Sequence, residues 1–148
     1  MTGKREVRER AAWMRGYRRV LEARDRRCPP DRLRELARDE VRPVRLWAAR
    51  NPSTPTDALD FLARDADDNV RFNVLLNPHT PDSALRWLAD QEDERYGSRH
   101  APDRQRILHH PGASVELRDE LVAAGFCDCP GWCARFNHSH FGSSPKLT

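Results

Sequence analysis

The strongest constraint on how this chain folds is a unit that is written out twice. Val44-Arg45-Leu46-Trp47-Ala48-Ala49-Arg50-Asn51-Pro52-Ser53-Thr54-Pro55 returns as Val70-Arg71-Phe72-Asn73-Val74-Leu75-Leu76-Asn77-Pro78-His79-Thr80-Pro81, each position 26 residues after its counterpart. The register continues, with Leu59, Leu62 and Ala63 answered by Leu85, Leu88 and Ala89. Upstream, Leu33, Leu36, Ala37 and Asp39 precede Leu59, Leu62, Ala63 and Asp65 by the same interval. A fixed period of about 20–50 residues is the signature of a solenoid, because one short unit cannot bury its apolar face and needs neighbouring copies to cover it. Of the 148 residues only 38% are hydrophobic and 33% are charged, which suits thin stacked layers better than a thick core.

Each unit reads as two short helices. Thr54 before Pro55, with Asp57 after it, has the form of an N-cap, a proline at the first helical position and an acidic first turn. Thr80-Pro81-Asp82 repeats that form. Leu59, Leu62 and Ala63 then supply an i, i+3, i+4 buried face. The other helix runs from about Pro43 to Arg50 and again from about Asn69 to Leu76, stopped by Asn51-Pro52 and Asn77-Pro78. No segment alternates apolar and polar residues, so no sheet is expected.

Residues 5–26 read as one long helix whose stripe of Val7, Ala11, Met14, Val20 and Leu21, with Trp13 and Tyr17, would cap the array. Cys28-Pro29-Pro30 ends it. The last copy is displaced: Val74-Leu75 and Asn77-Pro78 match Ile107-Leu108 and His110-Pro111 at an offset of 33. The seven extra residues fall within 91–100, a charged stretch containing Gly97-Ser98, which reads as a protruding loop and the expected specificity element. A final helix from about Ser114 to Ala124 is closed by Gly125.

The unit X-V-R-x-x-(V/A)-(L/A)-x-N-P-x-T-P-x-x-x-L-x-x-L-A-x-D resembles the leucine-rich repeat variant family, a relative of the HEAT-like helical repeats. The resemblance covers about residues 29–124 and rests on Arg45, Asn51, Pro52, Thr54, Arg71, Asn77, Pro78 and Thr80. It implies an all-α chain, a short right-handed α-solenoid, divided here into a basic helix (1–28), repeats (29–125) and a tail (126–148). Some relatives carry a cysteine-ligated iron–sulfur cluster at the N-terminus; that feature does not carry over, since only Cys28 precedes the repeats. The family lends no common activity.

The tail holds the sharpest chemistry. Cys127, Cys129, Cys133, His138 and His140 offer three thiolates and two imidazoles within fourteen residues. Zinc takes four such ligands tetrahedrally, and Pro130-Gly131 gives a turn that lets the sulfurs converge. An iron–sulfur cluster is the alternative cofactor, and free thiols packed among Phe126, Trp132, Phe136 and Phe141 are the plain reading. Cys28 aligns with Thr54 and Thr80, as a weak cap replacement, and a helix N-terminus would favour its thiolate. His109-His110, in place of Leu76-Asn77, reads as structural. Arg45, Arg71 and Arg104 share one slot, as do Asp39 and Asp65, which predicts Arg–Asp pairs between layers.

Charge is uneven. Residues 1–27 hold ten Lys or Arg against four Asp or Glu, a balance of +6 that leaves −3 for the rest of a chain whose net charge is +3. Arg15, Arg18, Arg19, Arg26 and Arg27 could therefore sit on phosphates, as HEAT-like proteins that handle nucleic acid use a basic face. A solvated outer face is the plain alternative. No Ser/His/Asp set, glycine-rich phosphate loop or hydrolase-like acidic pair is present, so no enzyme is expected. No apolar run spans a bilayer and the N-terminus lacks a secretory h-region, so no membrane role and a cytoplasmic location are expected. The expected function is a non-enzymatic module that binds a protein partner, with nucleic-acid binding and iron–sulfur redox chemistry as alternatives. Two exposed solenoid ends leave a dimer open.

Overall fold

The computed structural model describes residues 2–91 and 106–124, with side chains at Val7, at Ala11 and from residue 14 onward. Among these, the regular elements are all helices: α1 (Thr2–Arg24), α2 (Pro30–Leu36), α3 (Arg42–Arg50), α4 (Thr56–Leu62), α5 (Asp68–Leu76), α6 (Asp82–Asp90) and α7 (Val115–Ala123). Residues 106–108 are also helical. The odd helices form a row, α1 on α3 and α3 on α5. The even helices pack beside it, α2 and α4 on α3, α4 and α6 on α5, and α4 on α6.

Between the rows lie the apolar positions of the repeat. Leu33, Leu36, Leu59, Leu62 and Leu85 are fully buried from the even side, and Val44, Ala48, Val70 and Val74 from the odd side. Each leucine contributes about 1.5–3 kcal/mol through burial. A second cluster holds Leu75, Leu85, Ile107, Leu108, Leu117 and Leu121, and half-buried Leu88 packs against both clusters. The last copy is thus docked on its predecessor in spite of the irregular spacing.

Thr54 and Thr80 do not cap the helices that follow them. Helices α4 and α6 have Pro55 and Pro81 at the N-cap position and no side-chain cap. The threonine hydroxyls instead donate backwards, Thr54 Oγ1 to the Ala48 carbonyl and Thr80 Oγ1 to the Val74 carbonyl, both at 2.6 Å. The reason is local. The last carbonyls of α3 and α5 have no partner four residues on, and the Asn-Pro turn brings a buried hydroxyl beneath them. Cys28 occupies this slot in the first copy, and it too is not a cap, since Pro29 holds that position in α2. Burial, followed by the charge of Glu22, pushes its thiol pKa up, so it behaves as a small buried apolar group and not as an activated thiolate. Side-chain caps occur elsewhere: Asp67 accepts from the amides of Asn69 and Val70, and Ser114 from that of Leu117.

The Asn-Pro turns stack into a column. Asn51 Nδ2 donates to the carbonyls of Ala23 and Asp25, at 2.7 and 2.8 Å, and its Oδ1 accepts the Ser53 amide at 2.9 Å. One copy on, Asn77 Nδ2 donates to the carbonyls of Ala49 and Asn51, both at 2.8 Å, and Oδ1 accepts the His79 amide at 3.0 Å. Each asparagine closes its own turn and ties it to the turn before. Asp25 fills the first place, accepting the Arg27 amide at 2.9 Å. His110 fills the last, with Nε2 2.8 Å from the Asn77 carbonyl and Nδ1 accepting the Gly112 amide at 2.9 Å. One neutral tautomer, protonated on Nε2, satisfies both contacts. Burial lowers the His110 pKa, the Asn77 contact opposes this, and the charge of Arg118 adds to the lowering.

Arginine–aspartate pairs run along the odd row. Arg45 meets Asp65 at 2.7 Å, and Arg19 meets Asp39 at 2.6 Å. The Arg45 and Arg71 guanidiniums also donate to the carbonyls of Asp39 and Asp65. Where Asp39 and Asp65 stand in their copies, the next has Gln91, and Arg71 turns to Asp68 in its own helix. Arg104 lies outside the described residues.

Helix α1 presents a different face from the one its apolar stripe suggests. Gly16 and Ala23 are buried and Val20 half-buried, whereas Val7, Met14, Tyr17 and Leu21 are exposed. The side with Gly16 and Ala23 faces the packed helices, and the Arg19–Asp39 pair fixes the rotation. The larger apolar side chains are thereby turned outward.

Candidate binding face

With one side of each odd helix turned to the even row, and its flanks to neighbouring odd helices, a third side is left open. Arg24, Arg50 and Leu76 hold the same place on it in successive copies, 26 residues apart. Trp47, half-buried at its floor, lies between two of them: the guanidinium carbon of Arg24 is 4.6 Å from the ring centroid and that of Arg50 is 5.4 Å away. Phe72 on α5 carries Arg106 at 5.5 Å. Tyr17 and Leu21 are 47% and 44% exposed, Phe72 and Leu76 38% and 44%. These exposed apolar side chains lie on α1 and α5, the two helices that flank α3 with its Trp47 and Arg50.

The charge on this face is uncompensated. Arg19, Arg32, Arg34, Arg42, Arg45, Arg64, Arg71 and Arg86 each pair with a carboxylate. Among the described residues Arg24, Arg50 and Arg106 have no carboxylate within 4.0 Å and rest on rings instead. A guanidinium lying over a ring gains about 0.5–1 kcal/mol at an exposed site and keeps its N–H edge available. A second repeated pair, Arg38 over Phe61 and Arg64 over Trp87, lies on the even row, where Arg64 is also held by Asp60.

Of the arginines singled out from the sequence, Arg15, Arg18, Arg26 and Arg27 are exposed, while Arg19 is half-buried in its pair with Asp39. Arg45, Asn51, Arg71 and Asn77 make the linking bonds given above, Thr54 and Thr80 bond the end of the helix just before them, and Pro52 and Pro78 lie in the turns. Cys127, Cys129, Cys133, His138 and His140 lie outside the described residues, as do Gly125 and the 91–100 stretch after Gln91. Among the described residues no group of three or more His, Cys, Asp or Glu is placed to hold a metal.

Sequence reasoning passed over Trp47, Phe72, Arg24 and Arg50. The signal was present, since Arg24 and Arg50 are one period apart. Recognising it required knowing which helix faces were already occupied. Comparison with protein-family models, with curated proteins and with solved structures finds no match for this chain. Among the described residues no helix is long and apolar enough to cross a membrane.

Proposed function

We propose that this chain is a non-enzymatic binding module of the cytoplasm, a short right-handed solenoid of repeats like those of the leucine-rich repeat variant family. It recognises a protein partner through the open side of its odd helices. The observation that carries this is the face itself: exposed Tyr17, Leu21, Phe72 and Leu76 beside guanidiniums with no carboxylate, on helices that pack in repeat order. A core of aromatic and aliphatic anchors flanked by arginine is the composition that protein interfaces favour. The test is affinity capture with the full chain beside an Arg50→Glu/Leu76→Asp variant of unchanged unfolding midpoint. Proteins retained by the first and lost by the second are expected. Identical sets on the two baits would sink the reading.

The C-terminal segment completes the module as a metal-stabilised cap, with zinc held by Cys127, Cys129, Cys133 and one of His138 and His140. Support comes from the end of the described array. Val122 is 47% exposed where its counterparts Ala63 and Ala89 are 0% and 7% exposed, so among the described residues nothing buries this position in the last copy. Purified without chelator, the chain should contain about one zinc, lost in a Cys129→Ser variant that melts earlier. Iron with sulfide would turn the assignment to a redox centre, and absence of metal would end it.

A second reading is favoured by one observation. Arg15, Arg18, Arg26 and Arg27 are all exposed at the basic pole, a disposition suited to phosphate backbone. Salt-dependent retention on DNA, lost on their joint replacement, distinguishes it.

A further inference from the structure

We propose that the face built on Arg24, Trp47 and Arg50 takes an acidic amphipathic segment of a partner protein. Its carboxylates would lie on the two guanidiniums and its apolar side chains on Leu21 and Leu76. The inference rests on the protein-binding reading above and names the class of partner.

Four observations lead to it. First, several inter-helix arginines are neutralised by the chain's own carboxylates, Arg19 by Asp39, Arg45 by Asp65 and Arg34 by Asp57. Arg24 and Arg50 have only the indole between them, so their charge is left for an outside anion. Second, each guanidinium rests over a ring and among the described residues has no carboxylate partner, so its N–H groups remain available to grip a carboxylate with two parallel hydrogen bonds. Third, the spacing fits a peptide. The two guanidinium carbons lie 4.6 and 5.4 Å from one centroid, hence no more than 10.0 Å apart. Carboxylates four residues apart on a helix, whose Cβ atoms are about 5–6 Å apart, reach both. Fourth, the charge is bordered by aliphatic surface, Leu21 and Leu76, each 44% exposed. Such surface suits leucine or valine side chains.

The same features argue against single-stranded nucleic acid here. Base stacking needs open ring faces, and the Trp47 ring already carries two guanidiniums and the Phe72 ring one.

Fluorescence anisotropy with the full chain tests the assignment. The probe is a labelled helical peptide with leucine at i, i+3, i+4 and i+7 and glutamate on both flanks; its comparators are the same peptide with every glutamate replaced by glutamine, and labelled oligothymidylate. The acidic peptide should bind. The glutamine peptide should bind at least about tenfold more weakly, and so should the acidic peptide to Arg50→Glu, while Arg27→Glu changes its affinity less than about threefold. Failure of the acidic peptide to bind up to about 1 mM overturns the proposal, as does equal binding by Arg50→Glu. If both peptides bind equally and both are lost on Leu76→Asp, the acidic class falls and the protein-binding reading stands. If neither peptide binds and oligothymidylate is held in an Arg50-dependent manner, both fall together.

Discussion

Replacing Asn77 with aspartate should destabilise the protein by roughly 3–5 kcal/mol, a large share of the 5–15 kcal/mol that typically holds a domain together. The Asn77 amide is 1% exposed and donates to the carbonyls of Ala49 and Asn51. A carboxylate has no proton to give, so two buried carbonyls lose the Asn77 N–H bonds and face a negative charge instead, although the Asn51 carbonyl keeps the Thr54 amide as a donor. Asn77→Ala should cost less, since it removes the same two bonds but adds no charge. The control is built into the chain. Asp25 fills the equivalent place in the first copy, where its Oδ1 accepts the Arg27 amide and among the described residues its side chain has no donor role. Asp25→Asn should therefore shift the urea midpoint hardly at all. Equal midpoints for Asn77→Asp and Asp25→Asn would mean that the column does not couple the copies.

Gly112→Ala should also be costly, by about 3 kcal/mol. A methyl group at Gly112 would sit 2.1 Å from the Thr80 carbonyl oxygen and 3.2 Å from His110 Nδ1. The first of these atoms is backbone in a turn that Asn77 and Thr80 hold from inside, so it cannot swing away as a side-chain end would. The turn before α7, which carries Gly112, must lift instead, loosening the His110–Asn77 contact and the Arg118 bond to the His110 carbonyl at 2.8 Å. Ser53 and His79 occupy the equivalent positions in earlier copies. Alanine at Ser53 is accordingly expected to cost far less, limited to the loss of its hydroxyl bond to the Arg26 carbonyl. Thermal unfolding of the two variants side by side decides the matter, and similar midpoints would contradict the close approach at Gly112.

The amino-acid sequence by itself determined the period, the number of helices in each unit and the leucines that lie between the rows. These follow from spacing, because 26-residue equivalence and an i, i+3, i+4 pattern need no knowledge of neighbours. It also pointed to arginine–aspartate pairing, since identical residues recurring in one slot reveal a contact between copies. The placement of Thr54, Thr80 and Cys28 was not legible, because a hydroxyl before a proline resembles an N-cap until the carbonyl behind it is seen. The outward turn of Val7, Met14, Tyr17 and Leu21 was decided by tertiary packing. An apolar stripe says that a helix has a greasy side, but the Arg19–Asp39 pair and the packing on α3 determine which side is covered. For the same reason Arg24, Trp47 and Arg50 became a face only in three dimensions. Their significance lies in what does not pair with them, and the absence of a partner is a property of the assembled surface and not of the residues.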